Sequence, residues 1–221
     1  MPNPIKYNIE KELPSIILIL FTLVLSAVSY PNLNDQIVTH WNLAGEANGW
    51  SSKTFFLLFF PGLTIFIYGL FLALPFFDPK KENYIDFAET YTNFKTLLIG
   101  VLTAIYTISL LSNLGYLINI GKSVSLIIGA MMIAIGFMLK DIKSNWFVGI
   151  RTPWTMSSVT VWEKTHHISV YFFSIMGLSI IIAPYLSNPW NITIFILGTL
   201  QMILGVTIYS YLAYKKENNK K

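Results

Sequence analysis

Long apolar blocks dominate the chain and set its architecture. Six of them, roughly 13–30, 54–77, 96–118, 123–139, 168–187 and 190–214, contain no Asp, Glu, Lys, Arg or His. Uncharged runs of about 18 or more residues read as membrane helices. The pattern therefore predicts an all-α, polytopic membrane protein, a bundle of six transmembrane helices with little left over for a soluble domain. Pro31 ends the first span after Tyr30, because a ring nitrogen cannot continue the helix. Pro61 and Pro75 predict a bend in the second, where carbonyls freed by proline need new partners. Gly100 with Ala104, Ser125 with Gly129, Ala130 with Ala134, and Gly198 with Gly205 line single helix faces. Small residues there allow close approach, and packing drives helix association in lipid.

The polar stretches are equally patterned. Between 78 and 95, Tyr84, Phe87, Ala88, Tyr91 and Phe94 recur at helical spacing, which predicts a short amphipathic helix on the membrane surface before the third span. The 31–53 connection carries two turn signals, Ala44-Gly45 and Asn48-Gly49. Trp41 and Trp50 flank them as interfacial rings.

Charge decides orientation. All but Lys53 and Lys122 of the fifteen Lys and Arg fall in the N-terminal tail, the 78–95 and 140–167 loops, or the C-terminal tail. The positive-inside rule then places both termini in the cytoplasm, with the 31–53 loop outside. The formal charge of +4 is thus a topology signal, with attraction to anionic membrane lipids following from it. Lys6, Lys11, the first apolar run and Ala27-Val28-Ser29 also have the outline of a cleavable signal peptide; five further spans favour a retained first helix. The chain has no cysteine, which excludes disulfides and thiolate sites.

Chemistry concentrates in two places. The stretch Asn145-Trp-Phe-Val-Gly-Ile-Arg-Thr-Pro-Trp-Thr155, with Trp162, Glu163, His166 and His167, holds the only arginine, Arg151, and three of six tryptophans. Gly149 gives the backbone freedom to turn, and Pro153 biases Thr152 away from helix. Thr160 and Glu163 fit a capping box, although Ser157 or Ser158 also suits the cap. Trp162, Thr165, His166 and Ser169 share one helical face. The Arg151 fork suits helix-end carbonyls, Glu163 or lipid phosphate, and equally a ligand or protein partner. His166 and His167 diverge on a helix and His40 lies on the other face, so a three-histidine metal site is not expected. No cofactor is implied. The outer stretch offers His40, Trp41, Asn42, Gly45, Gly49, Trp50 and Lys53 as contact residues.

Asn145-Trp146, Gly149-Ile-Arg151-Thr152-Pro153-Trp-Thr155, Trp162 and His166 resemble the signature of the SdpI-type immunity family of prokaryotic membrane proteins. Pro31, His40-Trp-Asn42, Gly45, Gly49-Trp50 and Lys53 resemble the membrane domain of uncharacterised function that precedes it in that family. The division implied is 1–95 for the N-terminal membrane domain and 96–221 for the SdpI-like domain. The resemblance implies a cell-membrane protein that protects against a secreted antimicrobial peptide or toxin at the outer face. It also implies signalling to a cytoplasmic transcriptional repressor, without direct contact with nucleic acid.

Two other classes compete with this reading. Ion-coupled transport normally places ionisable groups inside the bilayer, and the six spans contain none; a small-solute or lipid exporter not coupled through intramembrane charges remains the alternative. An enzyme would draw on Arg151, Glu163 and His166, but no H-E-x-x-H, G-x-S-x-G or cysteine nucleophile accompanies them, so catalysis is not expected.

Overall fold

The computed structural model describes residues 5, 8–42 and 45–219; Lys6, Ala44 of the expected turn, Lys220 and Lys221 lie outside them. Seven α-helices are present among these residues: α1 (Ile9–Ser29), α2 (Lys53–Phe77), α3 (Ala88–Asn113), α4 (Ile120–Leu139), a short α5 (Pro153–Ser157), α6 (Val159–Ile182) and α7 (Trp190–Asn218). All but α5 are long and apolar enough to cross a membrane. Their outward faces carry large apolar side chains such as Leu58, Phe66 and Leu197, as lipid-facing helices require. The protein is a six-span membrane protein.

Two features depart from the sequence pattern. The 31–53 connection is a β-hairpin: β1 (Gln36–Trp41) pairs antiparallel with β2 (Ala47–Ser52). Its reversal is at Asn42–Glu46, where the Asn42 side chain accepts from the Glu46 amide at 2.9 Å and the Gly45 amide donates to the Asn42 carbonyl at 2.9 Å. Gly45 supplies the left-handed φ of 81° that this reversal needs. Asn48-Gly49 lies inside β2 instead. The second departure concerns 78–95. A 3-10 helix (Lys81–Phe87) runs directly into α3, and Tyr84, Phe87 and Tyr91 are buried against one another, with Tyr84 and Tyr91 rings 5.1 Å apart. The aromatic stripe belongs to the protein interior, so no separate surface helix forms.

The described chain forms two compact units. One contains 8–72 and 95–127. Here Leu33, Ile37, Phe56, Leu57, Tyr106 and Leu110 form a buried cluster under the hairpin. Elsewhere in this unit Lys95 forms an ion pair and hydrogen bond with Glu12, both almost fully buried, and its ammonium lies 4.9 Å from the Tyr68 ring centroid. Ser15 and Thr96 hydroxyls meet beside them at 2.8 Å. The uncharged runs stop just short of both charges, but α1 and α3 extend past them, so the helices do carry ionisable groups in their interior contacts.

The other unit contains 73–94 and 128–219. In it α4 and α6 cross with almost no separation: a Cβ on Gly129 would lie 2.5 Å from the Gly177 carbonyl oxygen. Gly198 is pressed onto Ser179 in the same way, at 2.6 Å. Glycine is what permits these crossings.

Candidate functional site

The 140–167 segment is folded by its own polar side chains. Asn145, fully buried, accepts from the Phe147 and Val148 amides at 2.9 and 2.7 Å and donates to the Lys143 and Val148 carbonyls at 2.9 and 2.8 Å. An amide side chain has two donors and an acceptor oxygen, and here both ends are in use. Gly149 follows with φ 121°, and any Cβ there would lie 2.6 Å from the His166 Nε2 atom. The chain can pass this close to the ring only as glycine.

His166 is buried at the centre. Its Nε2 accepts from the Ile150 amide at 2.9 Å, and its Nδ1 lies 2.8 Å from the Trp162 carbonyl. That pair of bonds requires the proton on Nδ1, a neutral ring. Trp162 stacks on His166 at 4.1 Å, and its indole nitrogen donates to the Ile142 carbonyl at 2.8 Å. Thr165 and Ser169 are buried on the same face of α6, the face expected from their spacing.

Thr152 and Thr155 close the loop reciprocally. The Thr152 side chain accepts from the Thr155 amide at 3.2 Å, and the Thr155 hydroxyl accepts from the Thr152 amide at 2.9 Å while donating to the Ile150 carbonyl at 2.8 Å. Pro153 occupies the first turn of α5, where a missing N–H costs nothing. Ser158, not Thr160, caps α6, its hydroxyl accepting from the Val161 amide and donating to Glu217.

An acid outside the expected set holds the segment from below. Buried Asp78 accepts from the Trp146 amide at 2.8 Å, the Tyr84 hydroxyl at 2.9 Å and the Lys80 amide at 2.7 Å. Lys80 and Asn83 then donate to the Ser144 hydroxyl and carbonyl, each at 2.7 Å. The sequence signal for it is an Asp directly after an apolar span and before Pro79.

What remains outward is a small set. Arg151 is exposed and spends one donor on the Trp146 carbonyl. Trp146 and Pro153 are exposed, and Glu163 pairs with Lys143 at 3.3 Å rather than with the arginine.

In the hairpin the balance is reversed. Ile37 faces the buried cluster, whereas His40, Gly45 and Trp50 are exposed and Trp41, Asn42 and Gly49 half-buried. His40 meets Asn48 across the strands at 2.6 Å, over Gly49, where a Cβ would lie 2.9 Å from the His40 Cβ. Lys53 ties the base: it pairs with Asp35 at 3.0 Å, donates to the Leu33 carbonyl at 3.2 Å and sits 4.9 Å from the Tyr30 ring centroid. Asn113 of α3 was not anticipated. Its amide donates to the Val38 carbonyl at 2.9 Å and accepts from the Val38 N–H at 2.8 Å, standing in for a third strand.

Six spans, a self-bonded polar loop in one unit and an exposed hairpin in the other define a multi-pass membrane protein. Residues 141–211 match the SdpI/YfhL protein family, and residues 17–65 match a domain of unknown function (DUF1648). The chain is 26% identical over 212 residues to the immunity protein SdpI of Bacillus subtilis (strain 168), covering 96% of this chain and all of the other. No solved structure matches. The two matched regions thus follow one another in the order that the resemblance implies.

Proposed function

We propose that this protein confers immunity on its cell against a secreted, membrane-active peptide, without catalysis. The observation that carries the reading is the similarity to an immunity protein along essentially the whole chain, both polar stretches included. The charge alternation puts both termini and the Arg151 loop in the cytoplasm and the hairpin outside. The hairpin, within the 1–95 module, then meets the peptide or the lipid it perturbs. The Arg151 surface, within 96–221, docks a cytoplasmic partner such as a transcriptional repressor. An exposed guanidinium with donors to spare beside an exposed indole suits such a contact.

The test is survival. Host cells killed by such a peptide should become resistant when they express this chain. Trp41→Ala or Arg151→Ala should each remove resistance at an unchanged membrane level. Resistance that survives both changes rejects the assignment of these two surfaces.

A further inference from the structure

The two edges of the hairpin differ, and the difference identifies a binding mode. Val38 turns both backbone groups toward Asn113, so they point away from β2. Val38 lies opposite Trp50. In an antiparallel pair, residues facing each other either exchange both hydrogen bonds or neither. Val38 and Trp50 therefore form a pair that exchanges none, and the Trp50 N–H and C=O point out from the free side of β2. The sheet has only these two strands among the described residues. Edge strands are usually guarded by lysine, proline, a bulge or a covering element; Ala47–Ser52 contains neither residue, and the register shifts lie on the turn side of the Val38–Trp50 pair, leaving Trp50–Ser52 as regular edge.

The flanks show what would pair there. Asp35 and Glu46 bracket the hairpin; the Asp35 side chain is 93% exposed and spends one oxygen on Lys53 at 3.0 Å, Glu46 spends one on the Asn42 amide at 2.9 Å, and residues 31–52 contain no Lys or Arg. Trp50, 58% exposed, projects between them on the face opposite Ile37. We propose that the outer edge of β2 accepts a cationic peptide in extended form as a third strand. Its main chain would bond to the Trp50 backbone, an apolar side chain would lie on the indole, and basic side chains would reach Asp35 and Glu46. This rests on the immunity reading and specifies how the outer ligand binds.

Hydrogen exchange on the full chain in phosphatidylcholine nanodiscs tests it, with a ten-residue alternating Lys–Val peptide as probe. The Trp50 amide should exchange freely alone and slow by about tenfold or more with the probe, while the Ser51 amide stays constant. A probe with N-methylated backbone should give no slowing, and a Glu–Val probe far less. Trp50→Val should retain the slowing at its own amide, whereas Trp50→Pro, which has no amide to read, should bind the Lys–Val probe about tenfold or more weakly than Trp50→Val in a direct titration, since proline is tolerated on an outward edge position but donates nothing. If Trp50→Pro disturbs the hairpin, seen as faster Ser51 exchange, the N-methylated probe still decides. Equal slowing by the N-methylated peptide, no slowing by Lys–Val, or a Trp50 amide already protected by lipid alone overturns the proposal. Loss of resistance in Trp41→Ala with no Trp50 protection would overturn the edge and leave immunity standing. Protection without resistance supports the edge and removes the immunity reading.

Discussion

The hairpin and the Arg151 loop are both dense in distinctive residues, and they use them in opposite ways. In the loop, Asn145, Gly149, Thr155, Trp162 and His166 bond to nearby backbone or press against one another, and of the motif residues Arg151, Trp146, Pro153 and Glu163 face outward. In the hairpin, Ile37 and the Asn113 clasp hold the strands from beneath, and none of the motif residues is buried. A motif in a sequence does not distinguish residues that build a surface from residues that are the surface. The same substitution type should therefore harm folding in one region and recognition in the other.

The largest effect should come from the base of the hairpin's own unit. Breaking the buried Glu12–Lys95 pair by Glu12→Gln or Lys95→Met should destabilise by about 3–5 kcal/mol, because the remaining charge is left buried. The double variant should recover most of that loss. Unfolding in detergent measures both, and additive losses would mean that the pair is not coupled. Gly149→Ala should come next, at roughly 2–4 kcal/mol from left-handed strain plus the clash with His166, read as a lower unfolding temperature and membrane level. A normal level with full resistance would dissolve the contrast from the loop side.

Asn113→Ala should cost about 1–2 kcal/mol by leaving the Val38 groups without partners. Exchange should accelerate at the Val38 amide more than at Val148. Arg151→Ala should be the mildest for stability, within about 0.5 kcal/mol, yet remove resistance. A stability loss comparable to that of Gly149→Ala would make Arg151 part of the scaffold.

The six spans were legible because uncharged runs of that length have one reading in a protein. Their ends were not. Counting stopped at the first charge, which left Glu12 and Lys95 outside helices that include them, and their partnership is a long-range contact that no local pattern displays. The hairpin was hidden by composition: Ala47-Asn-Gly-Trp-Ser-Ser52 has weak strand propensity, and of the two turn signals only Gly45 falls at the reversal, Asn48-Gly49 lying inside β2. The shared face of Trp162, Thr165, His166 and Ser169 was legible from spacing. The bonds that fill it were not, since Ile142, Ile150 and the backbone near Gly149 reach it through tertiary folding. Asp78 and Asn113 stayed invisible for the same reason.

The central claim is that the open surface meets the outside and the self-bonded loop, with its exposed arginine, meets the cytoplasm. A chain without cysteine allows a direct measurement: label Trp50→Cys and Arg151→Cys separately with a membrane-impermeant maleimide in intact cells. Labelling of the first without permeabilisation, and of the second only after it, is the predicted result. Both sites reacting from the same side would contradict the account.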